Sequence, residues 1–277
     1  MNRAVEISAK SAICVLLPTM AGAPVVLYEK DAERVMQPAS LIKLLTAITA
    51  LKITDRRCIP LSHELKVIAS DDAKGSGCNV WEGDSVSLRD SMANLLLVSS
   101  NVTANAIART FGELLLGRTG KVGAKAVDRF DCEMNSVAVG LRMTRSRVSN
   151  PHGLAVRQQR SSARDLSLLV CACLDQPLIM QLWGLDEYNM TVAGSHPRNI
   201  LVKHSFKPHS HRGSADFAIP QFIGGKTGTL YPDNFHLATV STTRRGHRLI
   251  SVTLGSSSLE YRYLDYLIMM RTVGADL

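Results

Sequence analysis

The stretch Leu41-Ile42-Lys43-Leu44-Leu45-Thr46-Ala47-Ile48-Thr49-Ala50-Leu51 sets the strongest limit on what this chain can become. It is apolar nearly all round, and a helix without a polar face must be enclosed by other elements. With 277 residues, the chain can supply that enclosure as one large domain or two intertwined ones. Apolar residues make up 45% and charged residues 20%, enough for a core and unlike a disordered chain. Aromatic residues are only 5%, so aliphatic side chains must carry the packing.

The elements around that helix follow from periodicity. Ser11 to Leu17 and Val25 to Tyr28 read as the two strands of a hairpin. With Arg3, Lys10 and the small residues Ala21-Gly22-Ala23 nearby, the first of these imitates an export signal, but its apolar core is short and Pro18 follows at once. Any export signal is therefore expected outside this chain. Ser87-Leu88-Arg89-Asp90 is a capping-box pattern, with Leu88, Met92, Leu95 and Leu96 on one face behind it. Another helix begins just after Asn101, and Ser162-Ala163-Arg164-Asp165 starts a third. Asn150-Pro151-His152-Gly153 is a loop between them. From about residue 191 the period turns toward strand, with Phe235–Thr243 and Arg248–Leu254 joined by the turn Arg244-Arg245-Gly246-His247. A closing helix covers roughly 259–272. The order predicts an α/β (α+β) fold: one antiparallel sheet built from both chain ends, flanked by helices, with an inserted helical domain. Residues 1–50 and 191–277 form the sheet-containing part of this division, and 51–190 the inserted part.

Lys and Arg number 32 against 24 Asp and Glu, a net charge of +8, which suits an anionic partner. No aromatic-basic interleaving supports nucleic acid. No apolar run reaches the roughly 18–20 residues of a membrane span. The six cysteines show no paired ligand spacing and read as small buried residues, with a Cys58–Cys78 bridge the alternative in an oxidising compartment. No metal or other cofactor is expected.

Three patterns carry chemistry. In Ser40-Leu41-Ile42-Lys43, helical spacing sets the lysine amine beside the serine hydroxyl. Desolvation in an apolar helix lowers the lysine pKa toward that of a useful base, and backbone N–H groups at the helix start favour an oxyanion. Ser99-Ser100-Asn101, at a junction of two helices, can aim a hydroxyl and an amide into a cleft. In Gly225-Lys226-Thr227-Gly228-Thr229, two glycines let backbone approach a ligand beside a positive charge. A phosphate loop would need glycine at 220, where Pro220 stands. The first two patterns alone also have plain structural readings: an N-cap serine for the first, and a helix C-cap followed by an N-cap for the second.

Together, in the order S-x-x-K, S-x-N, K-T-G, the patterns match the constellation of β-lactamases and penicillin-binding proteins. The chain resembles the serine D-alanyl-D-alanine carboxypeptidases, the low-molecular-mass penicillin-binding proteins, over about residues 10–272. The likeness extends to Pro38-Ala39-Ser40 through Ala47, to Asn150-Pro151-His152-Gly153-Leu154, to Ser161 through Leu166 and to Arg248 through Gly255. It implies a β-lactamase/DD-peptidase-like fold, with Ser40 as nucleophile, Lys43 as its base and Ser99 as a further catalytic residue. Asn101, Lys226, Thr227, Thr229 and Arg262 then bind substrate, with Arg248 a rival to Arg262 and His152 structural. The backbone N–H groups of Ser40 and Thr229 form the oxyanion hole in this reading.

The implied activity is removal of the terminal D-alanine from peptidoglycan stem peptides ending in D-Ala-D-Ala, on the extracytoplasmic side, with β-lactams acylating the same serine. A DD-endopeptidase, a class A-like β-lactamase and a non-catalytic penicillin sensor are the alternatives. The β-lactamase is opposed by Ser100 in place of an aspartate. The chain departs from the family in that central serine, where glycine is usual, and in a basic, histidine-rich stretch at 203–212. It is also expected to lack the family's C-terminal β domain and anchor helix.

Overall fold

The computed structural model describes residues 6–18, 22–117, 123–205 and 221–274. Strands β1 (Ser11–Leu17) and β2 (Val25–Lys30) form the first hairpin, and α1 runs over Lys43–Arg57. Next come β3 (Glu64–Lys66), β4 (Asp84–Ser87), α2 (Leu88–Leu97), α3 (Asn101–Leu116), α4 (Gly123–Gly140), α5 (Ala163–Leu174) and α6 (Pro177–Trp183). The last third holds β5 (Glu187–Gly194), β6 (Arg198–Lys203), β7 (Gln221–Leu230), β8 (Asn234–Thr242), β9 (Arg248–Ser256) and α7 (Leu259–Gly274).

The main sheet has five antiparallel strands in the order β2-β1-β9-β8-β7, so both chain ends build it. Its two faces are covered differently. On one, Ala12, Cys14, Leu237 and Leu249 meet Tyr266, Met269 and Met270 of α7. On the other lies a larger core that takes in α1, α2, α3, α5 and α6. Every residue of α1 from Lys43 to Leu51 is buried, as its lack of a polar face requires. Serines cap the helices where the pattern placed them: the Ser87 and Ser162 hydroxyls accept the N–H groups of Asp90 and Asp165.

The boundary expected at residue 191 needs correction, because it cuts β5 in two. The β5–β6 hairpin pairs through Val86↔Val192 and its neighbours with β4, in a second sheet ordered β3-β4-β5-β6, and not with the main sheet. Strands as short as β3 and β4 show too little alternation to be read from sequence. All six cysteines are free thiols, so the alternative of a Cys58–Cys78 bridge is not realised, and the reading of them as buried residues holds only for Cys14 and Cys173, since Cys58, Cys78 and Cys132 are exposed. Of the basic stretch at 203–212, residues 206–212 lie outside the described residues.

No single described helix is long and apolar enough to cross a membrane. Only α5 and α6 together pass such a test, and they are bent by 101°.

Candidate active site

Ser40 does not lie on the α-helix itself but in a 3-10 turn, Ala39–Ile42, which leads into α1 at Lys43. In such a turn side chains three apart eclipse, so the lysine comes directly beneath the serine. Lys43 Nζ lies 3.0 Å from Ser40 Oγ, 2.7 Å from Asn101 Oδ1 and 2.6 Å from the His152 carbonyl. Two of these partners can only accept. In its neutral form the amine has two N–H bonds and one lone pair; with both hydrogens given to the carbonyl oxygens, that lone pair would face the serine O–H. Burial, then the charge of Lys226, holds the Lys43 pKa well below its ordinary value. None of its three hydrogen-bond partners is a carboxylate that would restore the charge.

The turn that carries Ser40 is clamped from three sides. Ala39 sits at φ +50°, the left-handed region that costs an L-residue energy. Gly153 (φ +90°) fits beside it only because it has no side chain: a Cβ there would lie 2.1 Å from the Ala39 carbonyl oxygen. The Gly153 loop is fixed in turn by Thr46, whose hydroxyl donates to the Pro151 carbonyl at 2.6 Å. Gly228 of β7 closes the second side, where a Cβ would be 3.2 Å from the Pro38 carbonyl oxygen.

His236 of β8 closes the third. Its Nδ1 accepts the Gly255 N–H at 2.9 Å, which leaves the proton on Nε2 to be donated to the Gln37 carbonyl at 3.0 Å. The ring is fully buried, and burial, first among the causes, lowers its pKa to about 4. A neutral imidazole of one tautomer thus ties the main sheet to the residue three before Ser40.

A second corner faces the first. Ser99 takes φ +64° between α2 and α3, and its hydroxyl accepts from Lys226 Nζ at 2.9 Å. Lys226 also donates to the Thr227 carbonyl at 3.0 Å. It is fully buried, and burial with the charge of Arg262 lowers its pKa to about 7. Ser100 points the other way: it caps α3 and donates to the Gly77 carbonyl at 2.7 Å. Asn101, expected to hold a substrate amide, has both ends of its own amide engaged, with Lys43 on the oxygen and the Lys74 carbonyl on the nitrogen at 2.7 Å.

Arg262, on the first turns of α7, donates to Thr229 Oγ1 at 3.1 Å and to the Gly228 carbonyl at 3.4 Å, with its guanidinium 5.0 Å from the Tyr263 ring centre. Thr227 lies 3.4 Å from Ser205 through their hydroxyls. Arg248 is exposed at the start of β9, opposite Leu17 and Thr242, outside these contacts. The structure thus joins Ser40, Lys43 and Asn101 in one network, Ser99 and Lys226 with the Thr227 carbonyl in a second, and Arg262 with Thr229 beside it, close enough for the Arg262 charge to act on Lys226. Among the described residues, no three His, Cys, Asp or Glu side chains converge to hold a metal ion.

The model of a family described as D-alanyl-D-alanine carboxypeptidase matches residues 1–258. The chain is 32% identical to a D-alanyl-D-alanine endopeptidase of Pseudomonas aeruginosa over 178 residues, 64% of this chain and 51% of that protein. It is 27% identical to D-alanyl-D-alanine carboxypeptidase DacC of Escherichia coli over 246 residues, 86% of this chain and 55% of that protein. The chain spans about half the length of the curated relatives it matches. Its fold is that of the Streptomyces K15 DD-transpeptidase, with a TM-score of 0.84 at 21% identity over 98% of both chains.

Proposed function

The chain belongs to the D-alanyl-D-alanine carboxypeptidase family, and from that premise we propose a serine-type hydrolase that removes the terminal D-alanine from peptidoglycan stem peptides. One observation carries the reading: a desolvated Lys43 amine whose only partner able to give up a proton is Ser40. Lys43 takes the Ser40 proton as Oγ attacks the carbonyl of the penultimate D-alanine. The C–N bond then breaks, the amine of the leaving D-alanine takes a proton, and an ester remains on Ser40. Water attacks the ester and releases the shortened peptide. Ser99 relays the proton to the leaving amine in this reading, which its hydrogen bond from Lys226 supports.

Lys226 and Arg262 supply positive charge for the substrate's terminal carboxylate, and Thr227 and Thr229 line the strand along which the peptide lies. Asn101, with its amide engaged, serves this reaction by positioning Lys43. Penicillins present a strained amide to the same serine. The enzyme acts on the extracytoplasmic side, where its substrate is, and the excess of +8 suits the polyanionic wall.

The test is D-alanine release from diacetyl-Lys-D-Ala-D-Ala with a Ser40→Ala control. We expect turnover by the natural chain alone, and a benzylpenicillin adduct on Ser40 by mass spectrometry. An adduct without D-alanine release would make the protein a sensor. A second reading, cleavage of cross-links, draws on relatives 32% and 34% identical that are named D-alanyl-D-alanine endopeptidases. Product analysis on cross-linked muropeptides separates the two.

A further inference from the structure

Trp81 is a large side chain that takes no part in the catalytic networks, yet it is held rigidly at the surface. It is 47% exposed. Its backbone N–H donates to Asp84 at 3.0 Å and its indole N–H to His196 at 3.2 Å. The Arg198 guanidinium stacks on the ring at 3.7 Å from its centre. Arg198 is itself gripped by both Asp84 oxygens, at 2.9 and 2.7 Å, and donates to the carbonyls of Asn79 and His196.

A cavity of about 290 Å3 opens beside this ring, lined also by Val67, Ile68, Asp72, Glu82 and Val102. Val67 and Val102 are buried and give it an apolar floor, and Ile68 is 40% exposed. The Arg198 guanidinium occupies one face of the indole, so a ligand in the cavity must meet another part of the ring. Val102 follows Asn101 directly in the first turn of α3, which sets the cavity against the element that holds Lys43.

We propose that this cavity is a saccharide subsite, in which an N-acetylated sugar ring lays its C–H face on Trp81. The Asp72 and Glu82 carboxylates accept hydrogen bonds from the sugar's hydroxyl and amide N–H groups. The surroundings disfavour an anion, which the two carboxylates repel, and Arg198 already occupies an indole face on which a cation would stack. An apolar wall with a few acceptors at its rim matches a ring that has one C–H face and donors around its edge. A platform fixed before binding also loses little freedom when the ligand arrives. The assignment rests on the function proposed above, because a stem peptide hangs from a glycan strand and brings sugars close to the site.

The experiment has two arms. Trp183, the other of the two tryptophans, is fully buried, so acrylamide quenching of the whole chain reports on Trp81. Tri-N-acetylchitotriose is expected to protect Trp81 from quenching in a saturable way, and Glu82→Gln to weaken that protection several-fold. Absence of protection overturns the proposal, and so does protection by tetralysine in place of the sugar. In the second arm, kcat/KM is measured for a disaccharide-pentapeptide and for the sugar-free tripeptide. Trp81→Phe and Glu82→Gln should lower the ratio of the two by about threefold or more. An unchanged ratio would make Trp81 a purely structural residue. If the natural chain cleaves neither substrate, the carboxypeptidase reading falls, while the quenching arm still decides the cavity.

Discussion

Lys43 stands at the mouth of a helix with three oxygens around its amine, two carbonyls and one hydroxyl. Lys226 stands in mid-strand between the Ser99 hydroxyl and the carbonyl of its own neighbour, Thr227. Both are fully buried, and burial is the first cause of the lowered pKa of each. Their geometry separates them. Lys43 has two obligate acceptors, which leave a neutral amine one direction for its lone pair, toward Ser40. Lys226 has one, and Arg262 adds a second positive charge nearby. Burial makes a lysine titratable; its partners decide what the titration is for.

Replacing the lysines one at a time tests that distinction most severely. Lys43→Ala should lower the rate of Ser40 acylation by benzylpenicillin by about 10²–10⁴-fold, the range for a lost general base. Lys226→Ala should acylate more slowly than the natural chain but well above Lys43→Ala. Adduct formation followed by mass spectrometry measures both, and equal losses would erase the contrast.

The next effect is on pH dependence. With its pKa near 7, Lys226 is charged below that value and neutral above it. KM for a peptide with a free terminal carboxylate should therefore rise as pH increases from about 7 to 9, and Lys226→Gln should flatten the rise. Steady-state kinetics across that range would show it, and an unchanged slope in the variant would place the titration elsewhere.

The smallest effect concerns His236, which supports the Ser40 corner without touching substrate. Between pH 6.5 and 4 the unfolded chain binds a proton on this ring that the folded one, with a pKa of about 4, refuses. Stability is therefore lost as pH falls through that window. His236→Gln should make the decline of Tm shallower. Part of the slope will remain, since His152 is also lowered to about 4, by burial and then by Lys43. The variant should also slow acylation by about tenfold through a looser Gln37–Ser40 turn. A Tm profile parallel to that of the natural chain would remove His236 from this account.

Much of the architecture was legible because period and capping act locally. The apolar run from Leu41 to Leu51, the serines before α2 and α5, and the β8–β9 turn each declare themselves within a few residues. The β5–β6 hairpin did not, since its partner β4 lies about a hundred residues earlier in the chain and shows little alternation. The patterns around Ser40, Ser99 and Lys226 picked out side chains that the fold brings into buried hydrogen-bond contacts. They could not show that Asn101 is engaged at both ends, or that the third partner of Lys43 is a backbone oxygen from His152. Backbone carbonyls have no sequence signature. His236 carried none either: one histidine in an apolar strand looks like core until both of its nitrogens are found in use.

The sequence by itself determined the family motifs and that the chain encloses one apolar helix, because residue chemistry and periodicity are local properties. Only the tertiary structure decided the protonation logic of the site. A lysine becomes a base through what surrounds its amine, and those groups come from a helix junction, a loop and a strand that meet only when the chain is folded.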